Sequence, residues 1–185
     1  MLRGAEVSRI RRLAAGVCLT AAPLVLLAGA LVHPHVHYDG AEHLAVVSEN
    51  PDRYFAAHAI LLAGLVLFLP AVLALVHMLK GQQAAIGHTA CGLAIVGMFG
   101  AAGIVTLDGV AVSQMGQPEA NAQEMAALLD RIKESNGLRA IARGSGVAFM
   151  LGMILLAYGL WRARAAPPWW LSESALQPSP SLSPM

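Results

Sequence analysis

Residues 87–108 read GHTACGLAIVGMFGAAGIVTLD. His88 and Asp108, at its two ends, are the only acidic or basic residues of this stretch. Its length is close to the roughly 20 residues that a helix needs to cross the hydrocarbon core of a bilayer. Small residues recur at alternating spacings of three and four, which places them on one helix face. Such faces allow close approach of membrane helices. The stretch therefore predicts a transmembrane helix whose packed face holds Gly87, Ala90, Ala94, Gly97, Ala101, Ile104 and Asp108.

The composition of the whole chain supports this interpretation. Hydrophobic residues make up 57% of the 185 residues and charged residues 12%, whereas roughly a quarter of a soluble domain is charged. The formal net charge is only +1, so nucleic acid is not an expected partner and the lipid bilayer is. No nucleophile motif, phosphate loop or dinucleotide fingerprint is found, so an enzyme is not favoured.

Apolar runs predict four transmembrane spans, at about 13–32, 54–78, 85–112 and 140–161. The fold class is therefore predicted as an all-α membrane protein, an antiparallel four-transmembrane-helix bundle forming a single domain over 13–164. Gly/Ala faces on the spans would also allow contact with a second copy or another membrane protein. A cleaved signal peptide is the alternative for the first run, because residues 28–30 resemble a cleavage site; its length favours a retained helix.

An additional amphipathic surface helix is predicted at about 118–136. Pro118 suits a first helical turn and Asn136-Gly137 suits a helix end. The spacing of Met125, Leu128, Leu129 and Ile132 gives it a single apolar stripe.

Loop charges indicate the orientation. Basic residues lie mostly in the N-terminal segment 1–12, in the link around Lys80 and after the fourth span. The positive-inside rule then predicts a bacterial plasma-membrane protein with both termini in the cytoplasm, including a disordered tail at 165–185, and with the 118–136 helix outside.

Each span delivers one polar residue to the same outer level. These residues are His33, His58, Asp108 and Arg143. Ionisable groups at membrane depth suggest a functional site for a small ligand or a proton. The alternative is an Asp108–Arg143 ion pair that only fixes the helix register, with side chains that reach the interface.

The histidines suggest two kinds of cofactor, although no cofactor is the first expectation. His33, His35 and His37 alternate along an extended segment shortly before His43, a ligand set that suits Zn²⁺ or Cu²⁺. A solvated histidine loop or a pH-sensing loop are the alternatives. Haem would need histidines paired at equal depth, which His33 with His58 or His77 with His88 would provide; the alternative is that all four meet water at helix ends.

One segment resembles a known group of proteins. The run NPDRYFAAH at residues 50–58 enters a leucine-rich helix that contains Leu69-Pro70-Ala71. It resembles a pattern in small uncharacterised bacterial four-span integral membrane proteins, over about residues 13–161. The resemblance implies four spans and no particular activity.

The sequence therefore favours a non-enzymatic accessory, sensing or small-ligand-binding subunit with an outward-facing His/Asp/Arg cluster. A haem- or metal-binding membrane redox protein is the alternative. A small transporter or oligomeric channel is a further alternative.

Overall fold

The computed structural model describes residues 4–36 and 38–163. The predicted tail at 165–185 and His37 lie outside the described residues. The described part is helical throughout its regular structure, and four of its helices are long and apolar enough to span a membrane. The predicted fold class of an all-α membrane protein is confirmed.

The four long helices are α1 (Gly4–Val32), α3 (Pro51–Val76), α4 (Gln82–Leu107) and α7 (Asn136–Arg162). The predicted spans begin three to nine residues later than these helices, because polar first turns were excluded from the spans. Asn50 and Ser135 cap α3 and α7 through their side-chain oxygens, so both helices begin in polar sequence.

Between these lie shorter elements: α2 (Gly40–Glu49), a π-helical turn (Asp108–Val112), α5 (Ser113–Met115) and α6 (Ala122–Glu134). The helix predicted at 118–136 is present as the shorter α6. Asn121 caps its start, and Asn136, which was predicted to end it, is the first residue of α7. The segment between the first two predicted spans also contains a helix, because Asp39 accepts hydrogen bonds from the amides of Ala41 and Glu42 and starts α2.

The long helices pack mainly as two pairs, α1 with α3 and α4 with α7. Contacts between α3 and α4 join the two pairs. The small face of α4 carries the second pair: Gly87, Ala90, Ala94 and Gly97 are buried, as predicted. Gly152 of α7 lies against the backbone of Ala90 and Ala94. Such approach is available only where one partner lacks a side chain.

Helices α2 and α6 pack on each other at one end of the bundle, and we call this pair the cap. Gly40 allows their contact, since a Cβ at this position would lie 2.7 Å from the Ala126 carbonyl oxygen. Leu44, Val47 and Leu129 of the cap pack with Tyr54 and Val112 of the bundle in one buried apolar cluster. The cap therefore closes over the ends of α3 and of the π-helical turn.

Candidate functional site

A set of polar side chains is buried where the cap meets the bundle. Tyr54 and His58 belong to the first turns of α3, and the spacing of four residues places them on the same helix face. Both are almost fully buried, with Tyr54 0% and His58 5% exposed. Buried polar groups require partners, and here the partners outside α3 come from α2 and the π-helical turn.

The π-helical turn places Asp108 opposite this face of α3. The Tyr54 hydroxyl donates to Asp108 Oδ2 at 2.9 Å, and His58 Nε2 lies 3.2 Å from the same oxygen. Single π turns inside α-helices are frequent at functional sites because they displace one side chain from the regular register. Here the turn starts at the residue that holds the carboxylate.

Both ring nitrogens of His58 face acceptors. Nε2 faces the Asp108 carboxylate, and Nδ1 lies 2.8 Å from the backbone carbonyl oxygen of Tyr54. A carbonyl oxygen and an ionised carboxylate can only accept, so the arrangement is satisfied when both nitrogens carry a proton. This geometry corresponds to an imidazolium paired with a carboxylate.

The cap adds His43 and Lys133 to the same set. His43 Nε2 lies 3.0 Å from the Tyr54 hydroxyl, and the Lys133 ammonium lies 2.9 Å from His43 Nδ1. An ammonium group has no lone pair, so Nδ1 must accept and the proton of the neutral ring is on Nε2. Hydrogen bonds then run in one direction from Lys133 through His43 and Tyr54 to Asp108.

We call Lys133, His43, Tyr54, Asp108 and His58 the polar chain. His43 is 4% exposed. Burial, followed by the charge of the neighbouring Lys133, lowers the pKa of His43 to about 4. Burial likewise lowers the pKa of Lys133, whose Nζ also donates to the Tyr38 carbonyl oxygen at 2.9 Å. The cap is thus joined to the bundle through a neutral histidine.

His33 lies beside the polar chain without joining it. Its ring centroid is 4.8 Å from that of His58 and 5.3 Å from that of Tyr54. Its Nδ1 lies 2.7 Å from the Pro34 carbonyl oxygen, which fixes the ring at the end of α1, and burial lowers its pKa. The structure therefore brings together three of the four residues of the predicted outer cluster: His33, His58 and Asp108.

Arg143 is not brought to this cluster. It is exposed on α7, and within residues 4–36 and 38–163 the side-chain hydrogen bonds of Asp108 are those with Tyr54 and His58. Lys133 of the cap, and not the predicted arginine, joins these side chains through its contact with His43.

The predicted metal ligands are separated. His33 and His43 both lie against Tyr54, whereas His35 is exposed and His37 is outside the described residues. Among the residues that the structure describes, no three His, Cys, Asp or Glu side chains are grouped so that they could hold a metal ion. Formation of α2 separates the histidines, because it turns His43 into the interface between cap and bundle.

The first predicted haem pair, His33 with His58, has no space for an iron between its rings. The rings of His33 and His58 are in contact, and His58 Nε2 is occupied by Asp108. His77 and His88 are both exposed, and each directs Nδ1 to a carbonyl oxygen of its own helix, Leu73 at 2.8 Å and Ala84 at 2.7 Å. The Nε2 atoms of His77 and His88 are left open by these hydrogen bonds, so haem binding by this second pair stays a prediction.

Sequence reasoning missed Tyr54 and Lys133. Tyr54 was within the quoted run NPDRYFAAH, and its spacing of four from His58 could have identified it as a member of the site. Lys133 is 90 residues from His43 along the chain, and no local pattern connects the two. It joins the site only because α6 folds onto α2.

Gly109, the second residue of the π-helical turn, gives a test of this packing. A Cβ at position 109 would collide with His58 Cβ and lie 3.0 Å from its Cγ. We expect Gly109→Ala to lower the free energy of unfolding by about 2 kcal/mol, within the usual range for overpacking. The measurement is denaturant unfolding in detergent micelles. Gly103→Ala is the control, since nothing lies within 4 Å of that Cβ; equal losses in the two variants would contradict the packing described.

Comparison with known proteins gives one family. Residues 14–173 match the model described as Domain of unknown function (DUF4386). Neither a curated protein nor a solved structure matches the chain.

Proposed function

Because this chain belongs to the DUF4386 family, whose description assigns no activity, we propose a function from the site itself: the protein is a non-enzymatic membrane sensor whose cap is held to the bundle by a proton-dependent contact. The observation that carries the proposal is the polar chain, which continues without a break from Lys133 of the cap to His58 of the bundle.

The contact between His43 and Lys133 is the proton-dependent step. The hydrogen bond at Nδ1 requires a lone pair, so a proton at that nitrogen removes the acceptor and places an imidazolium beside an ammonium. Like charges at this distance repel, and the interface is buried. The charged and titratable groups around His43 are Lys133 from α6, Tyr54 from α3, Asp108 from the π-helical turn, and the histidines His33 and His58. Asp108 opposes the effect of Lys133 but lies beyond the Tyr54 hydroxyl.

The direction of the pH dependence follows from the lowered pKa of His43. The folded protein binds this proton less readily than the unfolded chain, whose histidine titrates near 6.5. The contribution of His43 to stability is therefore complete above about pH 6.5 and is lost as the pH falls towards the folded value of about 4. Acidification in this range should release the cap.

Pulsed electron resonance between two spin labels tests the release. We expect the distance between labels on Ala127 of α6 and Ala56 of α3, both exposed positions, to broaden and lengthen between pH 7.5 and pH 4.5. The native thiols are removed by Cys18→Ser and Cys91→Ala. An unchanged distance distribution would overturn the proposal.

His43→Gln is the matched control. A glutamine amide can accept from Lys133 and donate to Tyr54, but it does not titrate in this range. The variant should keep the cap in place at both pH values. If it opens on acidification as the unmodified protein does, the response arises from other groups and His43 is not the sensor.

We infer the location from charge. Arg9, Arg11 and Arg12 precede the first span, Lys80 lies in the link after α3, and Arg162 ends α7. All are at the end of the bundle opposite the cap. The positive-inside rule supports a bacterial plasma membrane with cytoplasmic termini and the cap outside, where it would meet the pH of the surroundings. Gly92 and Gly103 of α4 and Gly144 and Gly146 of α7 have nothing within 4 Å of an added Cβ. Open small positions of this kind would suit contact with another membrane protein that responds to the state of the cap.

A further inference from the structure

The cap contains a cleft that the polar chain does not use. It opens between α2, α5 with the turn that follows it, and α6, and has a volume of about 460 Å³. This volume is within the range of pockets that hold drug-sized ligands, about 300–1,000 Å³. The lining residues are Ala41, Leu44, Ala45, Ser48, Met115, Gly116, Gln117, Ala120, Ala122, Gln123 and Ala126.

The lining contains no charged side chain. An ionic ligand would lose hydration at such a surface without gaining a partner of opposite charge. Leu44 and Met115 form an apolar floor that continues into the buried cluster around Tyr54. The lining therefore favours a ligand with an uncharged, hydrocarbon-rich body.

Three lining residues have polar side chains. The Ser48 hydroxyl already donates to the Ala45 carbonyl oxygen at 2.9 Å. Gln117 and Gln123 are the other two, and each primary amide offers both donors and an acceptor. A ligand that carries one or two hydrogen-bonding groups at one end would match this arrangement.

The position of the cleft suggests how a ligand would arrive. Met115 is the last residue of the apolar stretch Gln82–Met115. Its 34 residues exceed the roughly 20 that cross the hydrocarbon core, so the cleft at its end lies at the level of the bilayer interface. Amphipathic molecules concentrate at this level of a bilayer because their polar ends stay hydrated while their apolar parts are buried.

We propose that the cap cleft is a binding site for an uncharged amphipathic molecule, a short hydrocarbon body with a hydroxyl or amide end, taken up from the membrane interface. The site is bounded by α2 on one side and α6 on the other, so the bound molecule contacts both halves of the cap. Binding at this site depends on the cleft alone and does not depend on the proton-sensing function.

Photolabelling of the full chain in lipid nanodiscs at pH 7.5 tests the site. The probe is a diazirine analogue of decanol, and labelled positions are read by peptide mass spectrometry. We expect saturable labelling in residues 41–48 and 115–126 that unlabelled decanol competes away. The same probe ended by a carboxylate or a trimethylammonium group should label these segments far less.

Ala45→Phe fills the cleft from an exposed wall position, whereas Ala127→Phe adds the same ring to α6 outside the lining. Saturable labelling should fall roughly tenfold in the first variant, equivalent to about 1.4 kcal/mol of binding free energy, and remain in the second. Labelling that decanol does not compete, that the charged probes match, or that Ala45→Phe leaves unchanged would overturn the proposal. The His43→Gln protein should bind as the unmodified protein does, so a failure of the acid response would not affect this result.

Discussion

Asp108→Asn is expected to lower the free energy of unfolding by about 2–3 kcal/mol. The carboxylate accepts from both the Tyr54 hydroxyl and His58 Nε2 on one oxygen. An asparagine oxygen carries no charge, so the ion pair with His58 is lost and the remaining hydrogen bonds are weaker. The side chain of Asp108 is 36% exposed, which keeps the loss below the 3–5 kcal/mol typical of a fully buried pair.

Denaturant unfolding in detergent micelles at pH 7.5 measures this loss. The matched control is Asp52→Asn, an exposed aspartate in the first turn of α3, for which a change below about 0.5 kcal/mol is expected. Similar small changes in both variants would mean that Asp108 does not organise the site. A large loss in Asp108→Asn together with an unchanged helix content would place the effect on tertiary packing.

Gly152→Ala is expected to have a comparable effect, about 3 kcal/mol, for a purely steric reason. The added Cβ would lie 2.6 Å from the Ala94 nitrogen and 2.8 Å from the Ala90 carbonyl oxygen. These are backbone atoms of α4 and cannot rotate away, so α4 and α7 must separate. The upper end of the overpacking range therefore applies.

Gly146→Ala on the same helix is the control, because nothing lies within 4 Å of its Cβ. This substitution should be neutral or stabilise by about 0.5–1 kcal/mol, since alanine is the better helix former. Denaturant unfolding in detergent separates the two variants. Equal stabilities would contradict the close contact between α4 and α7.

The two substitutions probe different levels of organisation. Gly152 acts where two spans meet in the middle of the bundle, and Asp108 acts where the cap meets its end. Tyr54 connects the levels, because it is a member of both the apolar cluster with Leu44 and the polar chain with His43. Asp108→Asn should therefore also weaken the contact between the cap and the bundle. Gly152→Ala should weaken the packing of the spans without altering the polar chain directly.

The four spans and the close-packed face of α4 were determined by the sequence itself. The hydropathy of a segment depends only on its own residues. A helix in lipid also satisfies its own backbone hydrogen bonds, so a span can be identified without knowing its neighbours. The spacing from Gly87 to Gly97 likewise identifies a face before any partner is known. Family membership and the all-helical fold agree with that interpretation.

The site depended on the tertiary structure. His58 and Asp108 were both candidates from their depth, and they meet, but Arg143 had the same depth and lies exposed on α7. The depth of a residue along its helix does not determine whether its side chain faces a neighbouring helix or faces away from it. Lys133 and His43 meet because two short helices pack on each other, and each side chain is positioned by contacts with residues about 90 positions away. Local patterns determine which segments become helices, whereas only packing determines which of their polar side chains form hydrogen bonds with one another.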